Sequence, residues 1–113
     1  MTSVTIYHNP RCTKSRQTLA LLTERHLEPE VIEYLKNPPD AATLRSILRG
    51  LELPARELVR EKERNAAGLP ETDNEDQILK QIVQHPEILQ RPIVVSGGRA
   101  RLGRPPENVL DIV

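Results

Sequence analysis

The sequence predicts a mixed α/β fold in the order β-α-β, a helical insertion, then β-β-α. Three observations predict it. A β-branched run near the start stops at an Asn-Pro turn and gives way to a helix-like pattern. The middle third repeats its apolar residues at helical spacing, and the last third switches to a short aliphatic run, a Gly-Gly turn and a return strand.

Val4-Thr5-Ile6-Tyr7 is the first strand, bounded by Asn9-Pro10. From Lys14 to His26 the spacing predicts a helix with Leu19, Leu21 and Leu22 inward, closed by Leu27. Val31 to Leu35 is the second strand, stopped by Asn37-Pro38-Pro39. Asp40 is an N-cap for a helix carrying Leu44, Ile47, Leu48 and Leu51, with Gly50 disturbing its end. Pro54 suits the first turn of a helix from Ala55 to about Arg64. Gly68 to Asn74 is loop-like. Asp73 and Asp76 form a capping pair before Ile78, Leu79, Ile82 and Val83, and His85-Pro86 ends that helix. Pro92 leads into Ile93-Val94-Val95, Gly97-Gly98 turn the chain, and Ala100 to Leu102 return as a hairpin. Pro105-Pro106 opens a last helix with Val109, Leu110 and Val113 on one side.

The length of 113 residues fits one domain, 1–113, with a core that must be aliphatic, since Phe and Trp are absent and there are two Tyr. Sixteen Lys plus Arg balance sixteen Asp plus Glu. That neutrality argues against nucleic acid or a polybasic membrane surface as the main partner. No apolar stretch approaches the ~20 residues of a membrane span, and the strand-like start leaves no room for a signal peptide. The single cysteine, Cys12, has no second cysteine in the chain to pair with. A cytoplasmic monomer with a free thiol is expected.

Cys12 lies between a strand-ending turn and a helix start, where unpaired backbone N–H groups and the positive end of the helix dipole converge. That setting favours thiolate over thiol and welcomes an anion. Arg11, Lys14 and Arg16 add nearby cations, Ser15 can donate to the sulfur, and His8 can act as ion-pair partner or proton carrier. The plain alternative is an inert packed thiol. The motif Cys12-Thr13-Lys14-Ser15 has serine where a dithiol redox site has its second cysteine, so an oxidised Cys12 needs an external thiol. Where a tyrosine-phosphatase loop would place arginine, the chain has Thr18. Three scattered His and one Cys show no metal-ligand spacing, so no metal and no bound cofactor are expected.

The blocks "IYHNPRCTKSRQTL", "ELVREKE", "RPIVV" and "GRPPENVLDIV", in this order and spacing, resemble the glutaredoxin-coupled arsenate reductase family, in its short chromosomal form. Thr13-Lys14 departs from the Gly-Thr of its resistance-operon members. The resemblance implies a thioredoxin-like fold with a mixed sheet, Cys12 as nucleophile, and Arg60, Arg91 and Arg104 as oxyanion ligands. It also implies that His8 and Ser15 tune the thiol and that Pro92 is a cis-proline beside it. The substrate implied is arsenate, with phosphate and sulfate as competing anions, glutathione as co-substrate and glutaredoxin as partner. Taken alone, each arginine has an ordinary reading. Arg60 suits an ion pair with Glu57 or Glu63, and Arg91 and Arg104 suit surface charge. Two other functions remain open: a thiol-responsive regulator binding RNA polymerase, and a monothiol oxidoreductase acting on glutathione mixed disulfides.

Overall fold

The computed structural model describes residues 3–113. Four strands form one mixed sheet in the order β2-β1-β3-β4. They are β1 (Val4–His8), β2 (Glu30–Glu33), β3 (Ile93–Ser96) and β4 (Arg99–Leu102). β1 runs parallel to β2 and antiparallel to β3, with Ile6 opposite both Val31 and Val94. β3 and β4 form the expected hairpin around Gly97-Gly98, both at positive φ. The helices α1 (Thr13–Glu24), α2 (Ala41–Leu51), α3 (Glu61–Ala66) and α4 (Glu75–Gln84) join them, with 3₁₀ turns at Ala55–Leu58, Pro86–Ile88 and Pro106–Asp111. Among the described residues no helix is long and apolar enough to cross a membrane.

Strand alternation divides the core in two. Val4, Ile6 and Val94 face α1 and the last 3₁₀ turn, packing with Leu22, Val109 and Ile112. Tyr7 and Ile93 face the other way, onto Leu44, Ile47, Leu48, Ile78 and Ile82 of α2 and α4. Both faces are therefore covered, as a sheet with a parallel pair requires. In a core without Phe or Trp, Tyr34 is the bulkiest fully buried side chain.

Several elements depart from the sequence expectation. β2 runs only to Glu33, whose carbonyl accepts Lys36 N–H and Asn37 N–H at 2.9 Å in a turn that buries Tyr34 and leaves Leu35 exposed. The helix expected from Ala55 to Arg64 is two pieces. Between them Val59 is extended and bridges Leu89, while Arg60 N–H donates to Ile88 O at 2.8 Å and Gln90 N–H to Leu58 O at 2.6 Å. Tertiary pairing overrides the helical pattern there. The cap of α4 is Asn74, whose side chain accepts from Gln77 N–H, rather than Asp73 with Asp76. Asp40 does cap α2, accepting from Thr43 N–H at 2.8 Å.

The last element is a 3₁₀ helix. At three residues per turn its inward positions are Pro106, Val109 and Ile112, so Leu110 is only partly buried and Val113 is exposed. Gly50 does not break α2. A Cβ there would meet Gly98 O and Ala100 N at 3.0 Å, so its lack of a side chain lets α2 lie against the hairpin.

Gly103 makes an even closer approach, where the chain leaves β4 and donates from its N–H to Pro92 O at 2.9 Å. A Cβ at this position would lie 2.5 Å from Thr18 Oγ1 and 2.6 Å from Pro92 Cγ. The proline ring cannot swing away, so overpacking dominates. Gly103→Ala is expected to lower unfolding stability by about 1–3 kcal/mol, measured as a lower denaturant midpoint at unchanged slope.

Candidate functional site

The turn after β1 delivers Cys12 to the mouth of α1. Cys12 is the N-cap residue, extended at φ −96 and ψ 124, and its carbonyl accepts the first helical bond from Arg16 N–H at 3.0 Å. With no side-chain cap, the first amides of α1 are open to the sulfur. Burial pushes the Cys12 thiol up. The backbone N–H groups of Ser15 and Lys14, joined by the Arg104 and Arg91 guanidiniums, outweigh that effect and bring its pKa below the ordinary value. Arg104 Nη2 approaches Cys12 Sγ at 3.7 Å.

Asn9 fixes the turn through every polar group it has. Its carbonyl accepts Cys12 N–H at 3.0 Å, its Oδ1 accepts Arg11 N–H at 2.9 Å, and its Nδ2 donates to the Tyr34 hydroxyl at 3.4 Å. Its own N–H donates to Ser15 Oγ at 3.0 Å. Ser15 Oγ also lies 2.7 Å from His8 Nδ1, so the hydroxyl is engaged within the turn. Burial is the chief influence holding His8 below its ordinary pKa, against Glu33, its cross-strand neighbour, which pulls it up, and with Arg16, which lowers it further. The expected hydroxyl bond from Ser15 to the sulfur is therefore absent among the described residues. Ser15 faces Cys12 with its amide and braces the turn with its side chain.

The three arginines come together. A cleft of about 530 Å³ is lined by Cys12, Asn9, Arg11, Thr13, Lys14, Leu35, Arg60, Arg91 and Arg104. Arg104 Nε donates to Arg91 O at 2.8 Å, which ties the end of the chain to the segment before Pro92. The Arg91–Pro92 peptide is cis, and so is Arg104–Pro105, which the sequence reading did not anticipate. Arg91 Nη1 donates to Glu87 O and Leu89 O, and Arg60 Nε donates to Glu63 Oε2 at 3.2 Å. Arg16 instead folds back onto Pro10 O and Thr13 Oγ1, so this sequence-adjacent cation is spent on the turn. The charge beside the sulfur comes from Arg104, 92 residues away. Among the described residues no cluster of three or more His, Cys, Asp or Glu is arranged to hold a metal ion.

Residues 7–112 match the ArsC family. The chain belongs to that family. It is 53% identical to the uncharacterized protein YfgD of Escherichia coli K12, over 97% of this chain and 96% of that one. It is 46% identical to an arsenate reductase of Neisseria meningitidis serogroup A, over 96% of this chain and 97% of the relative. Its fold superimposes on the arsenate reductase of Vibrio cholerae with a TM-score of 0.88 at 40% identity, covering 99% and 98% of the two chains. The architecture is thus the thioredoxin-like fold of the ArsC family.

Sequence reasoning missed Asn9 as more than a turn former, and it missed Tyr34 altogether. Both are buried and polar in a nearly non-aromatic chain, but nothing local in the sequence pairs them. The ion pair of Arg60 with Glu63 was visible at its helical spacing; its location inside the cleft was not.

A depressed thiol pKa means that Cys12 should be alkylated by iodoacetamide with a pH midpoint below that of an unperturbed cysteine. Arg104→Ala should move the midpoint up, because it removes a cation that favours the charged form. The linkage has a definite sign. With the folded pKa lowered, the stabilisation from Cys12 is present above the unfolded pKa of about 8.5 and is lost as pH falls through the folded value. The stability difference between wild type and Cys12→Ser should therefore grow with rising pH across that window in chemical-denaturation series.

Proposed function

We propose that the protein is an arsenate reductase whose nucleophile is Cys12 and whose oxyanion ligands are Arg60, Arg91 and Arg104. The observation that carries this reading is the contact of Arg104 with Cys12 Sγ in a cleft lined by all three arginines. Guanidinium groups give a tetrahedral anion directional hydrogen bonds as well as charge, and the neutral chain concentrates its positive potential there. The names of its relatives support the same substrate.

The proposed sequence begins with the Cys12 thiolate attacking arsenic(V). A sulfur–arsenic bond forms, and one arsenate oxygen leaves as water after accepting two protons, its developing charge stabilised by the arginines. Glutathione then displaces a second oxygen as water. A glutaredoxin thiolate attacks the glutathione sulfur, and the sulfur–arsenic pair of electrons moves onto arsenic, which falls from V to III. The glutaredoxin–glutathione disulfide carries away the oxidation. Hydrolysis of the remaining bond frees arsenite and restores the Cys12 thiol. The lack of a second cysteine suits a route in which both reducing thiols come from outside. Phosphate and sulfate occupy the same clamp without being reduced.

His8 and Ser15 act in this proposal by bracing the turn that presents the sulfur, with no direct part in proton transfer. We place the reaction in the cytoplasm, where glutathione is reduced.

A coupled assay with arsenate, glutathione and glutaredoxin tests the reading. Wild type should consume reducing equivalents in proportion to arsenate, and Cys12→Ser should abolish turnover while circular dichroism remains unchanged. Single Arg60→Ala, Arg91→Ala or Arg104→Ala variants should each lose roughly 10²-fold or more in kcat/KM. Retained turnover in Cys12→Ser overturns the nucleophile. Turnover of a glutathione mixed disulfide, with none on arsenate, replaces the substrate.

A further inference from the structure

Among the described residues, Glu63 is the one carboxylate set against two of the three cleft arginines. It belongs to α3, one turn after Arg60, and its side chain is 26% exposed. Its Oε2 accepts from Arg60 Nε at 3.2 Å, and its Oε1 lies 3.8 Å from Arg91 Nη2. The two arginines come from segments far apart in sequence, drawn together by the Val59–Leu89 bridge. One carboxylate thus spans the seam with one oxygen on each side.

The atoms used decide between two roles for it. A carboxylate competing with the ligand would take the outer edge of a guanidinium, the two terminal nitrogens that grip an oxyanion in parallel. Glu63 takes Arg60 at Nε, and both terminal nitrogens of Arg60 have no protein partner among the described residues. Glu63 itself is not among the residues that line the cleft, whereas Arg60 and Arg91 both are. Arg91 is held differently: Nη1 donates to two backbone carbonyls and Nη2 lies 3.8 Å from Glu63 Oε1, so here the carboxylate meets a terminal nitrogen and sets the position of the side chain, and the orienting argument rests on Arg60. Without the carboxylate, three neighbouring cations would repel one another, and Arg60 would regain its rotamer freedom.

We infer that Glu63 is a positioning residue that turns the terminal edge of Arg60 toward the bound oxyanion and holds Arg60 and Arg91 at a fixed separation. This rests on the reading of the cleft as an oxyanion site. It carries a counterintuitive sign: removing a negative charge beside an anion site weakens anion binding.

Calorimetric titration with inorganic phosphate, which binds without reduction, tests it on the full chain. Glu63→Gln should weaken phosphate binding by roughly tenfold, the scale on which loss of an outer-shell orienting partner weakens a site. The charge-matched control Glu61→Gln, on an exposed position of the same helix, should change it by less than about twofold. In an Arg60→Ala background Glu63→Gln should cost no more than about twofold, because the group it positions is gone. Loss of packing alone would not produce that dependence. Equal or tighter phosphate binding by Glu63→Gln overturns the inference and makes Glu63 a plain countercharge, and so does an undiminished effect in the Arg60→Ala background. Wild type that binds neither phosphate nor arsenate overturns the oxyanion reading itself, and the role of Glu63 with it.

Discussion

The arrangement of the site depends on open amides at the start of α1 meeting the sulfur of their own capping residue. A helix start carries N–H groups with no partner inside the helix, and most chains satisfy them with a serine, threonine or aspartate side chain. Here the capping residue is Cys12, which makes no side-chain cap bond. The Ser15 and Lys14 amides stabilise a sulfur anion instead and, together with the Arg104 and Arg91 guanidiniums, overcome the burial that opposes it. Such an arrangement is sensitive to position, because the pull of a helix end fades within a turn. Asn9 supplies the rigidity. Its four polar groups all hold partners, so the turn cannot rotate without breaking several bonds together.

The guanidiniums reach the sulfur through a different device. Within the segment between β2 and β3, a short antiparallel pairing joins residues 58–60 to 88–90, just ahead of β3. That pairing places Arg60 beside Arg91, and the bond from Arg104 Nε to Arg91 O fixes the third. The start of α1 provides the sulfur, the insertion one cation, and the approach to and exit from the β3–β4 hairpin the other two. A chain with no net charge thereby acquires a locally positive cleft.

Much of this was legible in the sequence where local chemistry dominates. The strand β1, the capped helix α2, the Gly-Gly hairpin and the placement of Cys12 at a strand–turn–helix junction all follow from period and turn residues. The failures occur where distant contacts decide. Val59 and Arg60 sit in a helical pattern yet are extended, because Arg60 N–H bonds to Ile88 O and Gln90 N–H to Leu58 O on either side of the Val59–Leu89 bridge. The terminal segment carries apolar residues that fit either an α-helix or a 3₁₀ helix, and its packing selects three residues per turn, burying Ile112 in place of Val113. The gathering of Arg60, Arg91 and Arg104 was legible only through likeness to a family. Local sequence offers Arg11, Lys14 and Arg16 as nearby cations; Arg11 and Lys14 do line the cleft and the Lys14 amide faces the sulfur, whereas Arg16 folds back onto Pro10 and Thr13.

The contact between Cys12 and Arg104 spans 92 residues of the chain. During synthesis from the amino end, the cysteine emerges long before the arginine has been made. The newborn thiol thus lacks the long-range part of its electrostatic environment until the segment carrying Arg104 has been made, and an amino-terminal fragment that stops short of that residue does not possess the full acidity of the sulfur.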